Sequence, residues 1–149
     1  MKKISIILSV LFLTVLMLAG CGSSSSSKTI SLDSEEVTYP LFNITMDKAE
    51  VKDGSITVDF SWQNVAYEGA EKFSDVVSKV TATQDGEELT ETDDQYANAD
   101  SEVNTSTEVG NNESISLTYT LKNDSSPVTI TFVPANTSDQ SLTVTITIN

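Results

Sequence analysis

The feature that most limits what this chain can fold into is a repeated alternation of apolar and polar residues. Ile56, Val58, Phe60 and Trp62 alternate with Thr57, Asp59 and Ser61. Successive side chains of an extended strand point to opposite faces, so such a run buries one face and wets the other. The pattern recurs at Ile115, Leu117, Tyr119 and Leu121, at Val128, Ile130 and Phe132, and at Leu142, Val144, Ile146 and Ile148. Val76, Val80 and Ala82 mark a further strand whose apolar face Ser78 interrupts, and Phe42, Ile44 and Met46 mark a first one. Asp53-Gly54 and Asp85-Gly86 are hairpin signals, because glycine supplies the positive φ of a tight turn. Ser125-Ser126-Pro127 and Pro134-Ala135-Asn136 punctuate the C-terminal part. No stretch sustains a helical period, although residues 67–77 have room for a short helical turn. About seven antiparallel strands, with a turn about every ten residues, predict an all-β fold, an immunoglobulin-like antiparallel β-sandwich over residues 37–149. Trp62 is expected in its core, and Tyr119 is placed to tie its hydroxyl to a loop as a corner tyrosine does.

The first 36 residues follow other rules. Lys2 and Lys3 precede an apolar run from Ile4 to Leu18, shorter than the ~20 residues a helix needs to span a bilayer. Residues 1–20 read as a secretory signal. Its end, Leu18-Ala19-Gly20-Cys21, resembles the lipobox of bacterial lipoproteins, in which the cysteine takes a diacylglyceryl group and the chain is cut before it. That resemblance implies a lipid on Cys21, a mature chain that begins there, and a membrane partner held by the lipid. Gly22 and Ser23 to Ser27 carry no side chain able to build a core. Residues 21–36 are therefore expected to be a flexible tether with a reach of roughly 20 Å.

Charge excludes one class of partner. Eight basic residues, all lysine, stand against 22 acids, for a net charge of −14. Removing residues 1–20 takes two lysines and no acid, which leaves −16. Nucleic acid wants a basic surface, so it is not a partner, and anionic headgroups would repel the protein surface too. Catalytic classes fall as well. With no histidine there is no Ser-His-Asp or Cys-His machinery and no histidine metal site. The single cysteine, Cys21, is used by the anchor, so neither a disulfide nor a thiolate zinc site is available. The Asn-x-Ser/Thr sequons at Asn43, Asn104, Asn112, Asn123 and Asn136 follow from a composition rich in those residue types.

Three stretches together resemble one family: Phe60-Ser61-Trp62-Gln63-Asn64 at a strand end, the run from Val80 through Gln84-Asp85-Gly86 to Leu89, and Tyr119-Thr120-Leu121-Lys122 leading into Ser126-Pro127-Val128. They are similar to small Gram-positive surface lipoproteins with a telokin-like, immunoglobulin-type domain of unknown function. The resemblance covers residues 42–133 and is most specific in the Gln-Asp-Gly-x-x-Leu hairpin. Members commonly carry Pro-Gly before the Tyr-Thr-Leu-Lys strand, where this chain has Val109-Gly110. It implies a fold and a place on the outer face of the cytoplasmic membrane, and brings no catalytic residues.

The densest polar cluster, residues 85–102, holds eight acids. Asn98, Asp100 and Glu102 have the alternate spacing by which a calcium loop turns oxygens inward, and Asp93 and Asp94 could add ligands. The loop template fails further on, with Val103 where glycine is wanted and Val109 where glutamate is wanted. The sequence thus points first to a non-catalytic, lipid-anchored interaction module whose partner is an envelope protein or wall polymer, with no resident cofactor. The alternative is an accessory lipoprotein that binds calcium or a small ligand through the acidic 93–108 loop.

Overall fold

The six alternating runs supply the six long strands of a computed structural model that describes residues 27–32 and 36–148. Leu18, Ala19 and Gly20, expected as a lipobox, and Cys21, expected as the lipid acceptor, lie outside the described residues. In chain order the elements are β1 Lys28–Ser31, β2 Glu36–Thr38, β3 Phe42–Lys52, β4 Ser55–Asn64, β5 Glu71–Lys72, the short helix α1 Phe73–Val76, β6 Val77–Gln84 and β7 Glu87–Glu88. A 3₁₀ turn at Glu102–Asn104, β8 Ser106–Thr107, β9 Asn112–Thr120, β10 Val128–Pro134 and β11 Leu142–Ile146 complete it. Among the described residues no helix is long and apolar enough to cross a membrane.

Two antiparallel sheets face each other. One runs β1-β3-β4-β9, with β2 also on β3, and residues 90–92 extend it along β9 through Thr92 N–H to Thr118 O and Thr120 N–H to Thr90 O. The other runs β11-β10-β6-β7. Labelled A to G in chain order, β3, β4, residues 90–92 and β9 are strands A, B, D and E, and β6, β10 and β11 are C, F and G. That is the immunoglobulin arrangement of an A-B-E-D sheet packed on a C-F-G sheet.

Both predicted hairpins form. Asp53 (φ 50°) with Gly54 (φ 77°), and Asp85 (φ 53°) with Gly86 (φ 79°), put two successive residues at positive φ. This is the type I′ geometry whose twist suits a two-residue hairpin, and aspartate tolerates the left-handed region better than most side chains.

Three expectations are corrected. The stretch expected to be tether to residue 36 contains β1, whose Lys28 to Ser31 pair with Val51 to Lys48, so the sheet begins eight residues earlier than residue 36. Val76 belongs to α1, and β6 starts at Val77. Its register slips between Val133 and Pro134, so Ser78 and Lys79 both face out, which is why Ser78 breaks the apolar pattern. Tyr119 is no corner residue: its buried hydroxyl donates across the sandwich to Val80 O (3.2 Å).

The core follows the alternation. Ile44, Met46, Ile56, Phe60, Trp62, Leu117, Ile130 and Phe132 are fully buried between the sheets. α1 lies within the predicted helical turn and drops Phe73 into the core, where its ring meets Phe60 at 5.4 Å and Trp62 at 5.9 Å; Phe60 in turn meets Phe132 edge-on at 5.3 Å. Such tilted and edge contacts suit the ring quadrupoles.

The connections gather at two poles. At one, the hairpin pole, lie Asp53-Gly54, Asp85-Gly86, residues 121–127, the start of β1 and Ile148, with Lys28 Nζ donating to Ile148 O. At the other, the loop pole, lie residues 39–41, 65–72, 108–111 and 135–141.

Candidate functional site

The acidic loop comes first, because its residues carried the metal expectation. Asp93, Asp94, Asn98, Asp100 and Glu102 are all exposed. Two of the five turn an oxygen to a backbone amide. Asn98 Oδ1 accepts from Asp100 N–H, and Glu102 Oε2 accepts from Ser116 N–H at 2.7 Å, occupying a donor on the outer edge of β9. The loop is organised by Asn104, which accepts from Ser74 Oγ (2.6 Å) and donates to Asn98 O (2.8 Å). Ser101, itself buried, donates to Gln95 O. No group of three or more His, Cys, Asp or Glu side chains stands in position to hold a metal ion among the described residues. An inward oxygen cage of the kind calcium needs is therefore not built here.

Two buried amides hold the loops at the two poles. Gln84, one end of the Gln-Asp-Gly signature, is almost wholly buried and donates to Asn123 O and Ser126 O (both 2.9 Å). Its Oε1 accepts from Lys122 N–H (2.8 Å) and Asn123 N–H (3.2 Å). This uses the full donor and acceptor capacity of the side-chain amide. Asn64 does the same work at the loop pole. Its Nδ2 donates to Gly69 O (2.9 Å) and Thr107 O (3.0 Å), and its Oδ1 accepts from Tyr67 N–H (3.3 Å). Asn64 thereby fixes where Tyr67 stands.

Tyr67 is one wall of a cleft of about 240 Å³, lined also by Tyr39, Pro40, Leu41, Phe42, Asn136 and Asp139. The floor is a stacked pair, Tyr39 on Phe42, with centroids 4.5 Å apart and both rings buried. Tyr39 Oη donates to Gln140 O (3.1 Å) and so joins the floor to the connection between β10 and β11. Among the described residues, Leu41, Val65 and Val109 are the large apolar side chains that remain 40%, 42% and 45% exposed, and all three sit at this pole. Leu41 O accepts from the amides of Val65 and Ala66, which draws two of the three together.

The electrostatics of the cleft are one-sided. Burial raises the Tyr39 hydroxyl above its ordinary range, the Asp139 charge raises it further, and the Leu142 backbone partly offsets them. Tyr67 is raised by burial, then by Glu71 and Asp139. One carboxylate therefore acts on both tyrosines, and Asn136 Nδ2 holds its Oδ2 at 3.2 Å. A second hollow of about 60 Å³ on the outer face of β3 and β4, lined by Asn43, Thr45, Ser61 and Gln63, is smaller and wholly polar at those side chains.

Residues 22–134 match the family described as Domain of unknown function (DUF5067). The chain belongs to that family. The DUF5067 match takes in both amide clamps and the cleft residues up to Tyr67, and stops at the end of β10, before Asn136 and Asp139. No curated protein and no solved structure matches the chain.

Sequence reasoning missed the cleft. Its signal was the quartet Tyr39-Pro40-Leu41-Phe42, in which an apolar residue follows a proline just before a strand. Only Phe42 belonged to an alternating run, and Tyr67 and Asn136 were read as parts of turns.

Proposed function

We propose that this DUF5067 protein is a lipid-anchored, non-catalytic interaction module of the bacterial cell envelope, which meets a partner at its loop pole. The observation that carries this reading is the polarity of the fold. β1 enters the sandwich at the hairpin pole, where Lys28 pairs with Val51 beside the Asp53-Gly54 turn, and the cleft with its exposed apolar rim lies at the opposite end of β3. Six residues lie between a lipid on Cys21 and Lys28, so seven Cα–Cα steps, at most about 25 Å of chain, join them. An anchor of that length draws the hairpin pole toward the bilayer and turns the cleft outward. The eleven residues of β3 place it about 35 Å further out. A partner surface fits the site better than a reaction does. The cleft has aromatic and apolar walls with one carboxylate, and offers neither a nucleophile–base pair nor a second carboxylate in its lining.

The test has two arms. Metabolic labelling with an alkyne fatty acid should mark the wild-type chain and leave Cys21→Ala unlabelled and released from membranes. A photo-crosslinking residue at Leu41 or Val109 should capture a discrete partner in intact cells, whereas the same residue at Asp124 should not. Unlabelled wild-type chain would refute the anchor, and equal capture at both poles would refute the outward-facing site.

A further inference from the structure

We infer that the loop-pole cleft receives a lysine or arginine side chain from a protein partner, with Asp139 as its counter-ion. The inference rests on the interaction-module reading and supplies the chemistry of that same site.

Charge is the first argument. The loop-pole segments 65–72, 108–111 and 135–141 carry Glu68, Glu71, Glu108 and Asp139 against the single cation Lys72. The ion pairs Lys48–Asp59, Lys79–Glu88 and Lys122–Glu87 all lie away from this carboxylate. Asp139 is left with a neutral partner, Asn136, in a chain of net charge −14. The field at the cleft mouth attracts cations and repels acidic surfaces.

Shape is the second. Pro40 and Leu41 give the cleft an apolar lining beside a single carboxylate. A side chain with an aliphatic stem and a charged tip matches that division, since it buries its methylenes and keeps its head beside the charge. The half-buried Tyr67 ring stands by the same carboxylate and can add a cation–π contact. A volume of about 240 Å³ is below the range of drug-sized ligand sites and suits one side chain. A sugar ring is the poorer match, because Tyr39 and Phe42 are 6% and 2% exposed and stacked on each other, so they present no open platform.

The probe is Nα-acetyl-lysine amide, added to the full chain in detergent micelles and followed by amide NMR shifts at physiological salt. Nα-acetyl-norleucine amide, which keeps the four-carbon stem and lacks the ammonium, is the control. The lysine derivative should move the signals of Leu41, Tyr67, Asn136 and Asp139, and norleucine should not. Asp139→Asn keeps the shape of the side chain and should weaken binding at least about tenfold, as for loss of a hydrogen bond to a charged group. Asp124→Asn, which removes the same charge at the hairpin pole, should change binding less than about twofold, because a charge that distant is screened. Tyr67→Leu should fall between them. Equal losses in Asp139→Asn and Asp124→Asn, equal shifts with norleucine, or no shift at these residues would overturn the inference. In cells, Asp139→Asn that still crosslinks the wild-type partner at wild-type yield would overturn the lysine pocket and leave the module reading intact. No crosslink from wild type would remove the module reading itself.

Discussion

Gln84 tests whether the Gln-Asp-Gly hairpin is structural. Its side chain is 1% exposed and makes four hydrogen bonds, all to backbone groups of the 122–126 loop. At about 0.5–1.5 kcal/mol each, four such bonds are worth about 2–6 kcal/mol. The loop lies at the surface, so water can replace part of what Gln84→Ala removes, and we expect a loss of about 3 kcal/mol. Gln84→Glu sharpens the test. It keeps acceptors for the amides of Lys122 and Asn123 but sets a carboxylate oxygen against the carbonyls of Asn123 and Ser126. Its pKa in the folded protein must therefore lie above the ordinary glutamate value of about 4.3. A raised pKa contributes stability that is present below the unfolded value and lost as pH rises through the folded one. The deficit of Gln84→Glu relative to wild type should then be largest at neutral pH and shrink as pH falls toward 4. Urea unfolding followed by the fluorescence of Trp62, the only tryptophan and fully buried, reads both numbers. A cost below about 1 kcal/mol for Gln84→Ala, or a pH-independent deficit for Gln84→Glu, would refute the clamp.

Alkaline pH probes the tyrosines. All four are raised: Tyr96 and Tyr119 far above the ordinary range by burial and then neighbouring groups, Tyr39 and Tyr67 more modestly. Tyr96 and Tyr119 stay protonated in the fold near pH 10 and ionise there once unfolded, so the stability they contribute holds below about pH 10 and falls above it by about 1.4 kcal/mol per pH unit for each. Their share of the tyrosinate absorbance should rise only where the β-sheet circular dichroism is lost; titration of all four tyrosines near pH 10 in an intact fold would contradict this. Calcium probes the acidic loop. Since Asp93, Asp94, Asn98, Asp100 and Glu102 do not converge, millimolar calcium should move the melting temperature no more than sodium chloride of equal ionic strength. A saturable, calcium-specific rise, lost in the Asp100→Ala, Glu102→Ala double variant, would refute that reading.

The architecture was legible because each long strand buries one face, and burial leaves a period of two in the sequence. It blurred where the backbone departs from that period. In β3 the register shifts between Met46 and Lys48, so Asp47 and Lys48 both face out and the inward face resumes at Ala49 and Val51. Alternation alone therefore saw only the first half of that strand. β1 escaped for a different reason: a four-residue edge strand beside a serine run is held by its pairing with β3, and edge pairing leaves little mark on composition. In the acidic loop, ligand spacing in sequence does not reveal whether a carboxylate is already committed to a backbone amide, as Glu102 is to Ser116. The cleft brings together residues 39–42, 67 and 136–139, which are far apart in the chain and meet only because the A-B-E-D and C-F-G sheets deliver their loops to one pole.

The antiparallel pairing of β1 with β3 also decides how the molecule bears load. Under the proposed arrangement, a lipid pulling on Lys28 and a partner pulling on the loop pole would tug in opposite directions along the strand axis. The hydrogen bonds between antiparallel strands lie across that axis. The four residue pairs from Lys28–Val51 to Ser31–Lys48 are therefore strained together in shear and are not peeled one at a time. The first residue under tension is also held by Lys28 Nζ on Ile148 O, which passes part of the load to the end of the other sheet. Drawing β1 off the sheet along this axis must therefore break the whole set together.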